Sequence, residues 1–162
     1  MVGFVDGEGC FSIGFARQPN RADRKGYRTG YQVSHEFAVT QGAKSVSCLH
    51  ELVDFFGVGG VLPNRRYDNH TEHLYRYAVR RRKDLIDTII PFFEEHHMHS
   101  SKQLDFEKFV HCVSMMALGI HQTHAGLAVI AEIVETMNRR KPRTELIRIL
   151  RDHTPEVQDT GS

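Results

Sequence analysis

The first sixteen residues constrain the fold of this chain more than any later stretch. Met1 to Gly9 hold three glycines and two carboxylates among a few apolar side chains, and Cys10 to Ala16 then alternate apolar with small residues. In a helix, Gly3 and Gly7 share one face and leave a groove where another backbone can approach closely. Each glycine costs about 1 kcal/mol relative to alanine inside a helix, so helix stability alone does not explain them. From spacing alone, an N-terminal turn remains the alternative.

The order of the residues in this stretch is more specific than the spacing of its glycines. Val2-Gly3-Phe4-Val5-Asp6-Gly7-Glu8-Gly9 resembles the LAGLIDADG motif of homing endonucleases, in the variant that runs into a strand beginning Cys10-Phe11-Ser12-Ile13. The match includes an acid at both expected positions and lies where a helix is expected to meet a strand. The resemblance implies a site-specific endonuclease that cuts double-stranded DNA.

Length and composition are those of an ordinary globular protein, and 162 residues predict one domain, residues 1–162, with its own core. No apolar run is long enough to span a bilayer and no charged-then-apolar leader is visible, so no membrane partner is expected.

Cys10, Cys48 and Cys112 are scattered, which favours a reducing compartment. The resemblance implies an intracellular location, in an organelle (chloroplast or mitochondrion) or in bacterial cytoplasm.

The formal net charge of +1 hides an asymmetry along the chain. Residues 1–83 carry 13 Lys or Arg against 8 Asp or Glu, a net charge of +5, whereas residues 84–162 carry 8 against 12, a net charge of −4. The basic part is also the part that contains the predicted strands. This asymmetry predicts a polyanion-binding face on the sheet.

Alternation with a period of two predicts two hairpins, over residues 10–41 and 58–80, with strands at 10–16, 31–41, 58–62 and 74–80. In the first strand, Phe11, Ile13 and Phe15 alternate with small residues. In the second strand, apolar residues alternate with polar ones, which we expect to share an open sheet face with the small residues. The loop at 17–30 is basic and rich in turn residues.

Helical spacing of apolar residues predicts the remaining elements. A motif helix is expected over residues 1–9, a second helix over 44–56 capped by Gly57, and a helical region over 84–150. This region divides into a helix from Asp84 with Pro91 near its end, then helices over 100–118, 122–137 and 144–150. The order αββαββα plus C-terminal helices predicts an α+β two-layer sandwich with helices on one face of a four-stranded antiparallel sheet. The resemblance implies the same fold, with a saddle-shaped sheet that straddles DNA.

The resemblance also assigns the chemistry. In this family the second acid of the motif binds the essential Mg²⁺, which implies that role for Glu8, with the carbonyl of Gly7 as an additional ligand. Other divalent cations such as Mn²⁺ or Ca²⁺ are expected to fit the same site. Gln41 resembles the strand-end glutamine that orients water beside the metal, and Lys102 matches the basic residue at the scissile phosphate. Asp6 is expected to be a structural acid at the helix end.

Residues expected to contact DNA lie on the open face of the sheet and at the tips of its hairpins. Polar side chains on a two-stranded ribbon with basic tips suit the reading of base edges in the major groove. The alternative is a solvated sheet face. The candidates are Ser12, Arg17, Arg21, Arg24, Lys25, Arg28, Gln32, Ser34, Glu36, Lys44, Arg65, Arg66, Tyr67, Arg76 and Arg80.

One motif per chain implies a homodimer, because this family packs two motif helices together to assemble two acidic sites. Gly3, Phe4 and Gly7 are then expected at the interface, and two Glu8 side chains converge at a long, roughly palindromic target. The motif starts at Met1 without the preceding helical residues usual in the family. The alternatives are a trimmed start or a short interface helix that gives a weak dimer tightened by DNA.

Other functions remain open at this point. An intron-encoded maturase that assists RNA splicing, or an inactive protein that binds DNA or RNA, uses the same scaffold, although the intact Glu8 and Gln41 favour cleavage. No helix-turn-helix domain supports a DNA-binding regulator. The histidines at 96–99 are expected to form a polar loop between helices rather than a transition-metal site.

Overall fold

The computed structural model describes residues 1–18, 26–64, 73–138 and 142–153. A short helix, α1 (Val2–Glu8), leads directly into the hairpin strands β1 (Gly9–Arg17) and β2 (Tyr31–Gly42). Helix α2 (Val46–Phe56) precedes β3 (Gly60–Asn64) and β4 (Leu74–Val79). Helices α3 (residues 82–95), α4 (Lys102–Ala117), α5 (His124–Glu135) and α6 (Thr144–Asp152) follow. In the described residues, no helix has the length and apolar character needed to cross a membrane.

The four strands form one antiparallel sheet in the order β1-β2-β4-β3. The predicted α+β fold, an open four-stranded antiparallel sheet with helices, is confirmed. Strand β3 begins at Gly60, two residues later than predicted, and extends through Pro63 to Asn64. Because β3 lies at an edge of the sheet, the missing N–H of Pro63 costs no ladder hydrogen bond. Gly59, with φ of 81°, makes the turn that delays the strand.

Helix α3 is longer than predicted, since it begins at Arg82 and continues past Pro91 to Glu95. The turn before the proline, Leu85–Ile89, is π-helical, and the Ile90 N–H donates to the Leu85 carbonyl. A wider turn accommodates a residue that has no N–H and whose ring crowds the preceding turn. On α4, Leu104 is 58% exposed, although helical spacing would group it with the apolar residues of that helix.

The core lies between the inner face of the sheet and the helices, and Phe11 is at its centre. Its ring stacks on Phe37 of β2 at a centroid distance of 4.9 Å and meets Phe93 of α3 at 5.6 Å. Phe106 and Phe109 of α4 lie 5.1 and 5.4 Å away. Each buried phenylalanine contributes roughly 1.5–3 kcal/mol of transfer free energy. Packing around Phe11 therefore holds the strand that directly follows the motif helix.

A hydrogen-bonded clamp joins α1 to the start of α4. The Asp6 carboxylate accepts hydrogen bonds from the His99 N–H at 2.9 Å, the Ser100 N–H at 3.1 Å and the Ser100 hydroxyl. The Ser100 hydroxyl, and then the His99 N–H, lower the pKa of Asp6. The same hydroxyl accepts from the Lys102 N–H at 3.2 Å. The clamp therefore sets where α4 begins relative to the motif.

Replacing Asp6 by Asn should lower the melting temperature and speed amide hydrogen exchange over residues 96–101, because the Asn NH₂ group faces the donors that the carboxylate accepts from. The difference in melting temperature should shrink as the pH falls below 3.8, the ordinary pKa of Asp6, and through the lowered pKa of the folded protein. The wild-type carboxyl group is then protonated and can no longer accept all three hydrogen bonds. Asp54→Asn, at an exposed position of α2, is the matched control. Equal exchange rates in both variants would refute the clamp.

His35 is a polar residue on the inner face of β2, opposite Ile13 of β1. Both ring nitrogens are buried, and neither has a hydrogen-bond partner in the described part of the chain. Burial, and after it the positive charges of Arg82 and His121, lower the pKa of His35 from 6.5 to about 4. The folded protein therefore favours the neutral imidazole.

Stability should fall as the pH is lowered from about 6.5 to about 4, because the unfolded chain then binds a proton that the folded His35 excludes. With partial exposure taken into account, the effect is on the order of 1 kcal/mol. Urea midpoints measured across this range should depend less on pH in His35→Gln than in wild type. His50→Gln, at an exposed site on α2, should retain the wild-type dependence. An unchanged dependence in His35→Gln would contradict the assignment.

Candidate functional site

The end of α1 presents a carboxylate and backbone oxygens to solvent. Glu8 is the last residue of the helix and is exposed, and its side chain makes no hydrogen bond or ion pair with the described residues. The last carbonyls of a helix lack intrahelical partners and form its negative end. The strand begins at once because Gly9 has no side chain: a Cβ there would lie 2.6 Å from Val5 Cγ1.

Lys102 reaches the same helix end from α4. Its ammonium group donates to the carbonyl of Gly9 and, at 3.4 Å, to the carbonyl of Gly7. These two carbonyls flank Glu8 in the sequence, although Lys102 and Glu8 form no ion pair. The structure therefore brings Lys102 next to the motif across 94 positions of chain.

Gln41 lies on the stretch of β2 that extends past the start of β1. The register pairs Gly9 with Val39, which places the two residues after Val39 beside the end of α1. Gln41 is half-buried, and its side chain has no hydrogen-bond partner in the described residues. Its amide is therefore available to a ligand or to water at this end of the sheet.

The oxygen donors at the end of α1 suit a hard divalent cation. Mg²⁺ and Ca²⁺ prefer carboxylate, carbonyl and water oxygens, and Glu8 and Gly7 offer one carboxylate and one carbonyl. The Gly7 oxygen has a second lone pair beside the one that faces Lys102. The described residues contain no group of three or more His, Cys, Asp or Glu arranged to hold a metal. One copy of the described chain thus offers only part of a six-ligand sphere, and substrate, water or a second copy must complete it.

The open face of the sheet is polar, as the alternation predicts. The register pairs Ser12 with Glu36, Gly14 with Ser34 and Ala16 with Gln32 on one face. All of these residues except Ala16 line a depression of about 570 Å³. Because the side chains on this face are small or polar, the backbone ribbon is accessible from solvent.

Two arginines of the second hairpin share this face through Glu36. The Glu36 carboxylate contacts Arg76 at 3.1 Å and Arg80 at 2.5 Å. Its side chain is only 16% exposed, whereas those of Arg76 and Arg80 are 31% and 54% exposed. The cluster carries a net positive charge. Because Glu36 shares its face of β2 with Gln32 and Ser34, these contacts put Arg76 and Arg80 on that face as well.

Other predicted contact residues lie away from this face or outside the described chain. Arg17 lies on the same face of β1 as Phe15, which is the helix side, and is exposed at the end of the strand. Arg28 is exposed in the turn before β2, and Lys44 is exposed in the short 3₁₀ turn after it. Six candidates lie outside the described residues: Arg21, Arg24, Lys25, Arg65, Arg66 and Tyr67.

Among the described residues, none packs against the glycine face of α1 at the Cβ positions of Gly3 and Gly7. A Cβ atom added at Gly3 or Gly7 would meet no atom within 4 Å. On the other side of the helix Val5 is fully buried. Phe4, predicted at an interface, is partly buried against the core of its own chain.

The sequence prediction omits Ser100, which links Asp6 to Lys102. A serine directly before a helical apolar pattern is a recognised signal of a helix N-terminus. Nothing in the sequence shows that its hydroxyl meets the motif acid, because that contact spans 94 residues.

Comparison with known proteins agrees with this geometry. The family model described as LAGLIDADG endonuclease matches residues 1–113. An uncharacterized 50.9 kDa protein in ND4 intron 1 of Podospora anserina is 31% identical over 125 residues, which cover 76% of this chain and 25% of that protein. A probable intron-encoded endonuclease of Neurospora crassa is 27% identical over 85% of this chain and 26% of its own length. The chain thus spans about a quarter of these relatives.

Solved structures share the fold over most of the chain. The homing endonuclease I-TnaI is 38% identical, with a TM-score of 0.76 over 93% of each chain. I-SmaMI, solved on uncleaved target DNA with calcium ions, is 25% identical, with a TM-score of 0.76 over 99% of this chain and 52% of that one. Since the family model covers more than two thirds of the sequence and the sheet, helices and motif agree, this chain belongs to the LAGLIDADG family of homing endonucleases.

Proposed function

We propose that the protein is a site-specific endonuclease that hydrolyses phosphodiester bonds of double-stranded DNA with Mg²⁺, as a homodimer. One observation carries the proposal: Lys102 donates to the carbonyls on both sides of Glu8. Gln41 lies two positions past the β2 residue that pairs with Gly9, at the same end of the sheet. The I-SmaMI complex, which contains uncleaved DNA and calcium ions, supports this choice of substrate and of cation class.

Each of the three residues has a distinct role in this proposal. Glu8 and the Gly7 carbonyl hold the cation, which neutralises phosphate charge and lowers the pKa of a bound water. Lys102, fixed on the carbonyls that flank Glu8, places a positive charge beside the phosphate that is cut. The free amide of Gln41 orients the attacking water. The Asp6 clamp positions Lys102 and itself takes no part in the reaction.

The open sheet face binds the duplex in this proposal. Ser12, Gln32 and Ser34 offer donors and acceptors to base edges in the major groove, while Arg76 and Arg80 suit guanine or phosphate. Glu36 keeps both arginines in place on this face. A carboxylate here also repels phosphates, so it favours correctly placed base contacts over loose backbone binding.

The homodimer is proposed because the motif of one chain offers one carboxylate that is free to hold a cation, Glu8, whereas two strands must be cut. The open face of α1, with Gly3 and Gly7, lets a second α1 approach closely. Two such helices side by side bring two copies of Glu8 to the centre of the duplex. Each copy then serves one strand.

Replacing Glu8 by Gln should abolish cleavage of targets selected from a degenerate DNA library, with a rate loss of roughly 10²-fold or more, as when a charge-stabilising group is removed. Binding to the same DNA should persist, because the sheet face is unchanged. Glu51→Gln, at an exposed site of α2, should cleave like wild type. If Glu8→Gln cleaves normally, the assigned site is wrong. If wild type binds but cuts no selected target with Mg²⁺, the proposed activity is wrong.

Replacing both Gly3 and Gly7 by Leu should prevent dimerisation without unfolding the chain. Neither new side chain meets an atom of its own chain at Cβ, and leucine is the better helix former. Sedimentation equilibrium with and without target DNA should show the wild type dimeric on DNA and the variant monomeric and inactive. Gly60→Leu, where a Cβ also meets open space, is the control. A variant that assembles and cleaves like wild type would refute this interface.

A further inference from the structure

A second pocket lies at the far end of the sheet, on the side of the helices, and the proposed catalytic site does not use it. Its volume is about 290 Å³, which is room for a small anion and several waters at about 30 Å³ each. Three elements contribute basic side chains to its lining: Arg28 from the turn before β2, Arg82 from the first turn of α3, and His121 from the 3₁₀ turn between α4 and α5.

The remaining lining of this basic pocket is neutral. Hydroxyl and amide groups come from Tyr27, Thr29, Tyr31 and Gln122. None of the described residues that line it is acidic. Basic side chains from three elements, without a carboxylate among them, are the composition of an anion site.

Two of the residues that line this pocket carry buried nitrogens that have no hydrogen-bond partner in the described chain. Arg82 makes one hydrogen bond, from Nη1 to the Met116 carbonyl at 3.0 Å, and its buried Nε–H has no partner. Nδ1 of His121 is likewise buried and without a partner. Buried polar groups are almost always hydrogen-bonded in proteins. A guanidinium group with free donors in a fixed plane matches an oxyanion that accepts two hydrogen bonds.

The electrostatics of the pocket favour the same class of ligand. Burial, followed by the charge of Arg82, lowers the pKa of His121. The pKa of the neighbouring His35 is lowered for the same reasons. The other groups that face His121 across the pocket are the Arg28 guanidinium and the neutral phenols of Tyr27 and Tyr31. An anion would supply the negative charge that this region lacks.

We propose that this basic pocket binds a phosphate group, held by Arg82 and His121 and covered by Arg28. Gln32, which also lines the open sheet face, forms part of its rim. A duplex on the open face that extends past Gln32 would bring a backbone phosphate of its flank to this rim, so this source of the phosphate rests on the proposed function. Free inorganic phosphate presents the same chemistry and is the other source to be tested.

Inorganic phosphate should shift the imidazole NMR signals of His121 and raise its pKa, whereas sodium chloride at equal ionic strength should not. Arg82→Gln should weaken phosphate binding at least tenfold, and Arg148→Gln, an exposed arginine of α6 paired with Glu145, should bind like wild type. Because Arg82 also bonds Met116, His121→Gln serves as a second variant that leaves that bond intact, and its phosphate affinity is measured by titration calorimetry because it lacks the His121 signal. It should also weaken binding. Phosphate affinity equal to wild type in both variants, or no effect of phosphate beyond that of chloride, would overturn the proposal.

A random-sequence duplex separates the two sources. If a backbone phosphate occupies the pocket, duplex DNA should shift the His121 signals and compete with inorganic phosphate, and Arg82→Gln should reduce the salt dependence of duplex binding by about one phosphate contact. If the duplex binds without affecting His121, the site takes free phosphate and the backbone source is wrong. Neither measurement depends on cleavage. The phosphate site can therefore be refuted while the Glu8 experiment supports the proposed nuclease activity, and the nuclease activity can be refuted while the phosphate site is supported.

Discussion

Burial of Phe11 is the interaction on which the rest of the structure depends. Its ring contacts aromatic rings from β2, α3 and α4 at centroid distances of 4.9 to 5.6 Å. Only Gly9 and Cys10 separate it from Glu8, so the packing that holds β1 also fixes the end of the motif helix. A seven-residue helix has little stability of its own. The carboxylate of Glu8 is therefore positioned by the core rather than by α1.

The second constraint on the site is a set of hydrogen bonds between α1 and the start of α4. Asp6 binds the backbone before α4, and Lys102 returns to the carbonyls of α1. Both charged groups form hydrogen bonds with backbone groups that would otherwise be bonded only to water. Helix α1 is thus held by the core at its end and by α4 at its side, which leaves its glycine face free.

Much of the architecture was predictable because period-two alternation and helical spacing report directly on which side chains are buried. The open face with Ser12 and Ser34 and the placement of Arg76 follow from that alternation together with the sheet register. The predictions failed where tertiary context overrides a local rule. Pro91 lies inside α3 because a π-helical turn accommodates it, and Pro63 lies within β3 because that strand is an edge. His35 was not expected to matter, since its burial and the nearby charges of Arg82 and His121, from distant parts of the chain, arise only in the folded protein.

The sequence by itself determined the family, the fold class and the identity of the motif acid, because these depend on contiguous residues and on short-range periodicity. Only the tertiary structure decided that Lys102 meets the carbonyls of Gly7 and Gly9, that Asp6 binds Ser100 and that Arg82 lies in a pocket without a counter-charge. Such contacts join side chains tens of residues apart, and their geometry is set by how the core packs. The motif indicates where an acid belongs, whereas the folded core decides which groups surround it.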